Sequence, residues 1–386
     1  MKSKLKDKRR KGKKKRSTAR VVPQSQIYYC EADVPDGLEE LAHSEMRYVL
    51  GNRMRLSLPV EQLLGTGAIP FTYSGPLQAL IQLQTVLTVY TVHYIDVARP
   101  TGLLGHHTFK ALVHEMQTIQ RMWPAGTFES FGISAAGSDS DVMLRLRDEF
   151  AEALGVTPLS HEMDLVMRLR RPRPKNGQTA AENDNTVSGW EAMLRLSPRP
   201  LSVRYWRVCD MEGALNAAVA HSMIKLTHPK PSDFFFNLMC GSGTLLVERL
   251  AYGDVRRVGG CDISAESRSC AEKNLAAAGI KPIVELHDWN ATTLNLPDST
   301  VDALVADLPF GFAVGSHVEN VEVYPAVLAE AARVAKSGTR FVAITQEVRL
   351  MEQVVAESDA WELEEVLRIQ LRGLHPRIFV MRRKSS

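Results

Sequence analysis

Asp307-Leu308-Pro309-Phe310 follows the apolar run 301–306 and brings a carboxylate, a backbone carbonyl and an aromatic ring into one short turn. That set suits a planar substrate carrying an exocyclic amine. Asp307 and the Leu308 carbonyl can accept from the NH₂ group and align its lone pair on a methyl donor, while Phe310 stacks on the ring and Pro309 stiffens the loop. Asn237-Leu238-Met239-Cys240-Gly241-Ser242-Gly243-Thr244 offers a different chemistry. Its glycines let backbone approach a ligand, and the helix that follows presents unpaired N–H groups. Asp262 lies 19 residues beyond Gly243, at the separation where an acid reaches the ribose hydroxyls of a nucleoside cofactor. Asp288 ends another apolar run and can accept from an adenine amine, with Trp289 as a wall. Neither a third motif glycine nor a Walker lysine follows Gly243, so the pattern points to S-adenosylmethionine over NAD or ATP.

These residues need strand ends to position them. Past residue 200, apolar runs of four to six residues alternate with helical stretches of 10 to 15 (FFFNLM, TLLVERLAYG, VGGCDIS, AESRSCAEKNLAAAG, PIVELHD, VDALVADLP, YPAVLAEAARVAKSG, TRFVAIT). This rhythm predicts a doubly wound α/β domain with a parallel sheet, in which ligands bind at the carboxyl ends of the strands. Residues 361–369 and 374–382 read as edge strands. Before it, strands at 27–30, 53–59, 81–98, 127–133, 163–170 and 189–196 and helices at 38–50, 105–121 and 140–154 read as two small α+β units in series. In the first helix, Leu38, Leu41, Met46 and Tyr48/Val49 approximate the apolar stripe.

The formal charge of +3 conceals a division. Residues 1–20 hold twelve Lys/Arg against one Asp, a net of +11, so the other 366 residues carry −8. So dense a charge run predicts a disordered leader that attracts phosphate polymer without reading sequence. Its lack of an apolar core argues against a secretion signal, and no run of 18 apolar residues suggests a membrane span. Five scattered cysteines (Cys30, Cys209, Cys240, Cys261, Cys270) without a Cys-x-x-Cys pair suggest neither a disulfide framework nor a zinc ribbon, and fit a reducing, cytoplasmic compartment. His106, His107 and His114 lack the partners that would complete a metal shell, so no metal is expected. Cys240 reads as a small buried residue rather than a nucleophile. Arg168, Arg170, Arg171, Arg173 and Lys175 form the densest basic cluster outside the leader and are candidate RNA-phosphate contacts.

NLMCGSGT, GCDIS, the Asp288 strand end, DLPFG, VYPAVLAEAARV and LSVRYWRVCDMEGALNAAVAHSMIKL together resemble class I methyltransferases with the Asp/Asn-Pro-Pro-Tyr/Phe motif. More narrowly, residues 26–386 resemble the THUMP-domain tRNA guanine-N2-methyltransferases. The charge run sets off a disordered basic tail over 1–25, which the resemblance does not cover; the resemblance implies a ferredoxin-like unit over 26–100, a THUMP RNA-binding unit over 101–200 and a Rossmann-like methyltransferase domain over 201–386. It implies methyl transfer from S-adenosylmethionine to the N2 amine of a guanosine in the acceptor stem of tRNA. Gly241, Ser242 and Gly243 would hold the methionine end of the cofactor with Asn237 and Cys240 beside them, Asp262 and Ile263 the ribose and adenine, and Asp288 the adenine. Asp307 to Phe310 would hold the target base. Gly213, Ala214 and Leu215 fall in a cofactor-adjacent segment where Met211-Glu212 replaces the family's His-Pro. A tRNA partner is implied, with no membrane and no metal; the need for an activating subunit stays open. The alternatives are rRNA guanine-N2 methylation, adenine-N6 methylation of nucleic acid, and RNA binding without catalysis. Protein-glutamine methylation would leave the long N-terminal half without a role.

Overall fold

The computed structural model describes residues 26–172, 188–280, 283–310, 316–370 and 373–385. The basic leader, Arg173, Lys175 and Gly311 lie outside them. The N-terminal half runs β1 (Tyr28–Asp33), α1 (Glu39–Leu50), β2 (Met54–Leu56), β3 (Ala68–Tyr73), β4 (Thr88–Ile95), α2 (His106–Arg121), β5 (Ser130–Ser134), α3 (Asp141–Leu154), β6 (Thr157–Pro158), β7 (Leu165–Arg170) and β8 (Trp190–Arg195). Its strands form one eight-stranded sheet in the order β2-β3-β1-β4-β8-β7-β5-β6. The expected two units in series are therefore fused. Antiparallel pairing of β4 with β8, from Tyr90↔Arg195 to Ile95↔Trp190, carries the sheet across the boundary at residue 100. A single apolar cluster runs beneath it, from Cys30 and Phe71 to Phe131 and Leu194.

Local chemistry explains the other departures. The strand expected over 81–98 shrinks to β4, because Pro76 opens a 3-10 turn over Leu77–Gln82. β3 escapes notice because Pro70 interrupts its alternation, yet the Pro70 carbonyl still accepts from Ser57 N at 3.0 Å. In α1 the buried face is Ala42, Met46 and Leu50, while Tyr48 is 91% exposed. The expected stripe holds at Leu38 and Met46, but its last contact is made by Leu50 in place of Tyr48/Val49.

The C-terminal half contains α4 (Ala217–Leu226), β9 (Phe234–Leu238), α5 (Thr244–Tyr252), β10 (Arg257–Cys261), α6 (Ala265–Ala277), β11 (Val284–His287), β12 (Val301–Asp307), α7 (His317–Val334), β13 (Ala335–Thr345), α8 (Val348–Ala356), β14 (Trp361–Arg368) and β15 (Arg377–Arg383). Its sheet order is β11-β10-β9-β12-β13-β15-β14, parallel except that β15 runs against both β13 and β14. Strand order reverses between β9 and β12, which opens a crevice at their carboxyl ends. β9 is buried along its whole length, as a central strand covered on both faces must be. One face packs on α7 and α8, around Phe236, Ala306, Ala343, Tyr324 and Met351; the other packs on α4 and α5, around Phe235, Val305, Ile344, Val219 and Leu246. The AKSG stretch, expected to end a helix, instead begins β13.

The halves are joined by specific contacts. Leu38 is buried in the same cluster as Trp206 and Ile369, and Lys225 Nζ donates to the Leu41 carbonyl at 3.2 Å. Arg204 donates to both carboxylate oxygens of Glu248 and to the Gln84 carbonyl, and His221 Nδ1 lies 2.9 Å from Glu248 Oε2. Among the described residues, no helix is long and apolar enough to cross a membrane.

Candidate active site

The crevice is built by loops at four strand ends. After β9, the chain enters the Gly241-Ser242-Gly243 turn through Met239, whose φ is +52°. Gly243 takes φ +80° as the cap of α5, and a Cβ there would sit 3.2 Å from the Ala271 Cβ. Only glycine meets both conditions without strain. The turn is bound to its neighbour strand: Cys240 N donates to the Cys261 carbonyl at 2.8 Å, and Gly241 N donates to Asp262 Oδ2 at 2.9 Å. Asp262 Oδ1 accepts from Ser264 N at 2.9 Å, so one carboxylate organises both the glycine turn and the start of α6. Ile263 beside it is 71% exposed, open to a ligand lying over the strand ends. At the tip of β11, Asp288 is exposed, while Trp289 stacks on His287 with ring centres 3.7 Å apart and planes within 7°. The indole is thereby held as a fixed wall.

A strap covers the glycine turn from the other side. Arg207 Nη2 donates to the Leu215 carbonyl at 2.7 Å and to Thr244 Oγ1 at 3.0 Å, and Gly213 turns the strap with φ +78°. Asn274 of α6 accepts from Val208 N and Cys209 N and donates to the carbonyls of Cys209 and Ser242. Cys209 and Cys270 are joined by a disulfide, which ties the strap to α6 and corrects the expectation that the scattered cysteines stay unpaired. Sixty-one residues separate the two in sequence, and only the return of α6 beneath the strap brings them together. Cys240 is buried, and desolvation raises its thiol well above the ordinary range, which leaves it unreactive.

β12 ends in the Asp307 turn. Burial pushes the Asp307 carboxyl up to about 7. Leu308 N donates to the Ile344 carbonyl at 3.0 Å, continuing the β12–β13 ladder one residue into the loop. The Pro309 carbonyl accepts twice, from Asn320 Nδ2 at 3.0 Å and from Tyr324 Oη at 2.7 Å, and Tyr324 Oη lies 2.6 Å from Thr345 Oγ1. Asn320 and Tyr324 are buried on α7, whose start is locked by a Ser316/Glu319 capping box. The Leu308 carbonyl, by contrast, has no hydrogen-bond partner among the described residues and stays available beside Asp307. Phe310 packs half-buried against the α4 side of the sheet. The VYPAVLAEAARV run does not by itself reveal that Tyr324 holds Pro309, 15 residues earlier in sequence.

Two side chains at the strand ends carry buried polar atoms without a hydrogen-bond partner. Asn237, fully buried at the end of β9, leaves both Oδ1 and Nδ2 without a hydrogen bond. Gln346, just past β13, leaves Oε1 so. Buried unpaired polar atoms are costly to a fold.

The candidate RNA residues fall elsewhere. Arg168 pairs with both oxygens of Asp33 and lies over the Tyr90 ring; Arg170 binds Glu31 with two nitrogens at 2.7–2.8 Å and Glu191 with a third. Arg171 stacks on Trp190 and donates to the Gly189 carbonyl. Arg168 and Arg170 thus stitch β7 to β1 and β8, which commits their charge inside the N-terminal sheet. Among the described residues, no group of three His, Cys, Asp or Glu could hold a metal ion.

Residues 204–377 match the methyltransferase domain described as UPF0020, RMKL-like. The tRNA (guanine(6)-N(2))-methyltransferase THUMP3 of Mus musculus is 28% identical over 187 residues, covering 45% of this chain and 37% of that protein. The U6 snRNA (guanine-N(2))-methyltransferase THUMPD2 of Bos taurus is 31% identical over 135 residues, covering 34% of this chain and 26% of that one. The chain thus spans about a third of the length of these curated relatives. The crystal structure of TrmN from Thermus thermophilus superposes with a TM-score of 0.68 at 19% identity, over 93% of this chain and all of that one. The fold shared with TrmN includes the N-terminal half.

Proposed function

From a C-terminal half that matches the UPF0020, RMKL-like methyltransferase domain, we propose that this chain is a tRNA methyltransferase that transfers a methyl group from S-adenosylmethionine to the exocyclic N2 of a guanosine. The observation that carries it is the pairing of Asp307 with the free Leu308 carbonyl at the strand-order switch, next to a glycine turn organised by Asp262. Relatives whose names specify guanine-N2 chemistry support the choice of atom.

The residues fit the cofactor. Asn237, with two buried unpaired polar atoms, and the first N–H groups of α5 would hold its amino and carboxylate ends. Asp262 keeps lone pairs for ribose hydroxyls, and Ile263, Asp288 and Trp289 would border the adenine. The bound cofactor supplies a methyl group activated on a sulfonium sulfur. The protein's own work is on the base. Asp307 and the Leu308 carbonyl accept the two N2 protons, turning the nitrogen lone pair toward the methyl carbon, and Phe310 stacks on the purine turned out of its helix. Once methylated, the amine would shed a proton, and Asp307 is the group placed to receive it. A carboxyl near 7 is suited to receive it at neutral pH. The Tyr324–Asn320 clamp keeps Pro309, and so the Leu308 carbonyl, in place.

The N-terminal half would grip the RNA. With Arg168 and Arg170 committed to carboxylates, the leader, Arg173 and Lys175 are the proposed phosphate contacts, and an acceptor-stem guanosine is the proposed target. Incubating the protein with labelled S-adenosylmethionine and either unmodified tRNA or U6 snRNA, then digesting to nucleosides, tests this. N2-methylguanosine from tRNA is expected. Methyladenosine, or label in U6 snRNA alone, overturns it.

A further inference from the structure

We propose that Gln346 reads the Watson–Crick edge of the target base and selects guanine; this rests on the guanine-N2 function proposed above. Neighbouring residues place it. Along β13, Phe341 and Ala343 face α7 while Val342 and Ile344 face α4. Thr345 returns to the α7 side, where its hydroxyl meets Tyr324. Gln346 is the next residue, in the bend that follows β13 at the carboxyl end of the sheet, and on the neighbouring strand end Phe310 packs on the α4 side. Strand alternation puts Asn237 in line with Phe235, and Asp307 in line with Val305.

Register then orders the three. Asn237 is level with Val305, Asp307 is level with Ile344, and Gln346 lies two residues farther out. Asn237, Asp307 and Gln346 thus follow one another outward across three adjacent strand ends at the crevice. From strand spacing and rise, the backbones of Asp307 and Gln346 are about 8 Å apart, a gap that a purine edge with its exocyclic groups spans. The Gln346 backbone is fixed, since its carbonyl accepts from Val348 N at 2.9 Å and Glu347 N donates to Thr345 Oγ1 at 2.9 Å. Its side-chain amide makes no hydrogen bond among the described residues, and its Oε1 is buried.

Guanine completes that amide and adenine does not. With N2 held by Asp307 and Leu308, guanine turns N1–H toward Oε1 and O6 toward Nε2, which satisfies both ends. Adenine held by N6 offers only N1, an acceptor for Nε2, and leaves Oε1 unpaired. A site whose polar groups stay unpaired with the wrong substrate discriminates strongly against it. The Asp-x-Pro-Phe turn can hold either amine, so selection needs a residue of this kind.

The test uses the full-length protein and tRNA carrying either guanine or 2-aminopurine at the mapped target. 2-Aminopurine keeps the amine but lacks N1–H and O6. For Gln346→Leu, kcat/KM on guanine is expected to fall about 30- to 100-fold while the rate on 2-aminopurine and the affinity for S-adenosylmethionine stay within threefold of wild type. Gln346→Glu, which keeps an acceptor for N1–H, should recover part of the guanine preference and guards against a variant that merely misfolds. Unchanged guanine activity in Gln346→Leu overturns the assignment, as does an equal loss on both bases. Wild-type protein that methylates adenosine instead refutes the guanine function itself, and the assignment with it.

Discussion

Asp307→Asn tests whether the crevice sacrifices folding energy for chemistry. In an unfolded chain this carboxyl ionises near its ordinary 3.8, whereas burial in the folded protein raises it to about 7. Between those values the folded state keeps a proton that the unfolded chain has released. Stability therefore declines as pH rises through that window and levels off above pH 7. The accumulated cost at pH 8 is about 4 kcal/mol, at roughly 1.4 kcal/mol for each pH unit between the two values. Asparagine has nearly the same shape and never ionises. The variant should gain up to about 4 kcal/mol over wild type at pH 8, with the gain shrinking to about 1–2 kcal/mol at pH 5. Urea unfolding of both proteins from pH 5 to 8 measures this. Methyl transfer should be abolished while S-adenosylmethionine affinity, read by calorimetry, is largely spared. Wild-type kcat/KM should fall about tenfold per pH unit below 7, as the carboxylate acceptor is lost. A stability difference that does not grow with pH, or a variant less stable than wild type at pH 8, would refute the reasoning.

Four further outcomes follow from the same geometry. Tyr324→Phe removes one of two donors to the Pro309 carbonyl, so kcat should fall about tenfold with a stability loss near 1 kcal/mol and an unchanged cofactor affinity; an unchanged kcat would show the clamp to be dispensable. Asn237→Val deletes two unpaired buried polar atoms, so the free protein should keep or slightly gain stability while S-adenosylmethionine binds about tenfold more weakly, by thermal melts and calorimetry. Reducing the Cys209–Cys270 disulfide should loosen the strap and weaken cofactor binding several-fold, an effect that Cys209→Ser should reproduce without reductant. Deleting residues 1–25 should weaken tRNA binding and flatten its dependence on salt, with the modified nucleotide unchanged, because phosphate contacts carry no base information.

Much of the site was legible in the residues because strand-end loops are local. Asp307, Asp262 and the glycine turn each follow a short apolar run, and their spacing needs only the period of a strand and a helix to place them at one edge of a sheet. The same locality explains what stayed hidden. Arg168 and Arg170 look like a free basic cluster in sequence, but the sheet sets them against Asp33, Glu31 and Glu191, more than 130 residues earlier in the case of Glu31 and Asp33. Asn274 in α6, Arg207 in the strap and Gln346 beyond β13 carry no motif, since each acts on backbone or empty space contributed by a distant element.

Composition and spacing alone determined the doubly wound domain, the glycine turn at its crevice and the carboxylate beside it, because hydrophobic period and glycine chemistry are properties of short segments. Tertiary structure decided the rest. Only packing could fuse the two N-terminal units into one sheet, pair Cys209 with Cys270, and raise Asp307 to about 7. Pairing, desolvation and unmet hydrogen bonds depend on which surfaces exclude water, and that is known only once the strands lie side by side.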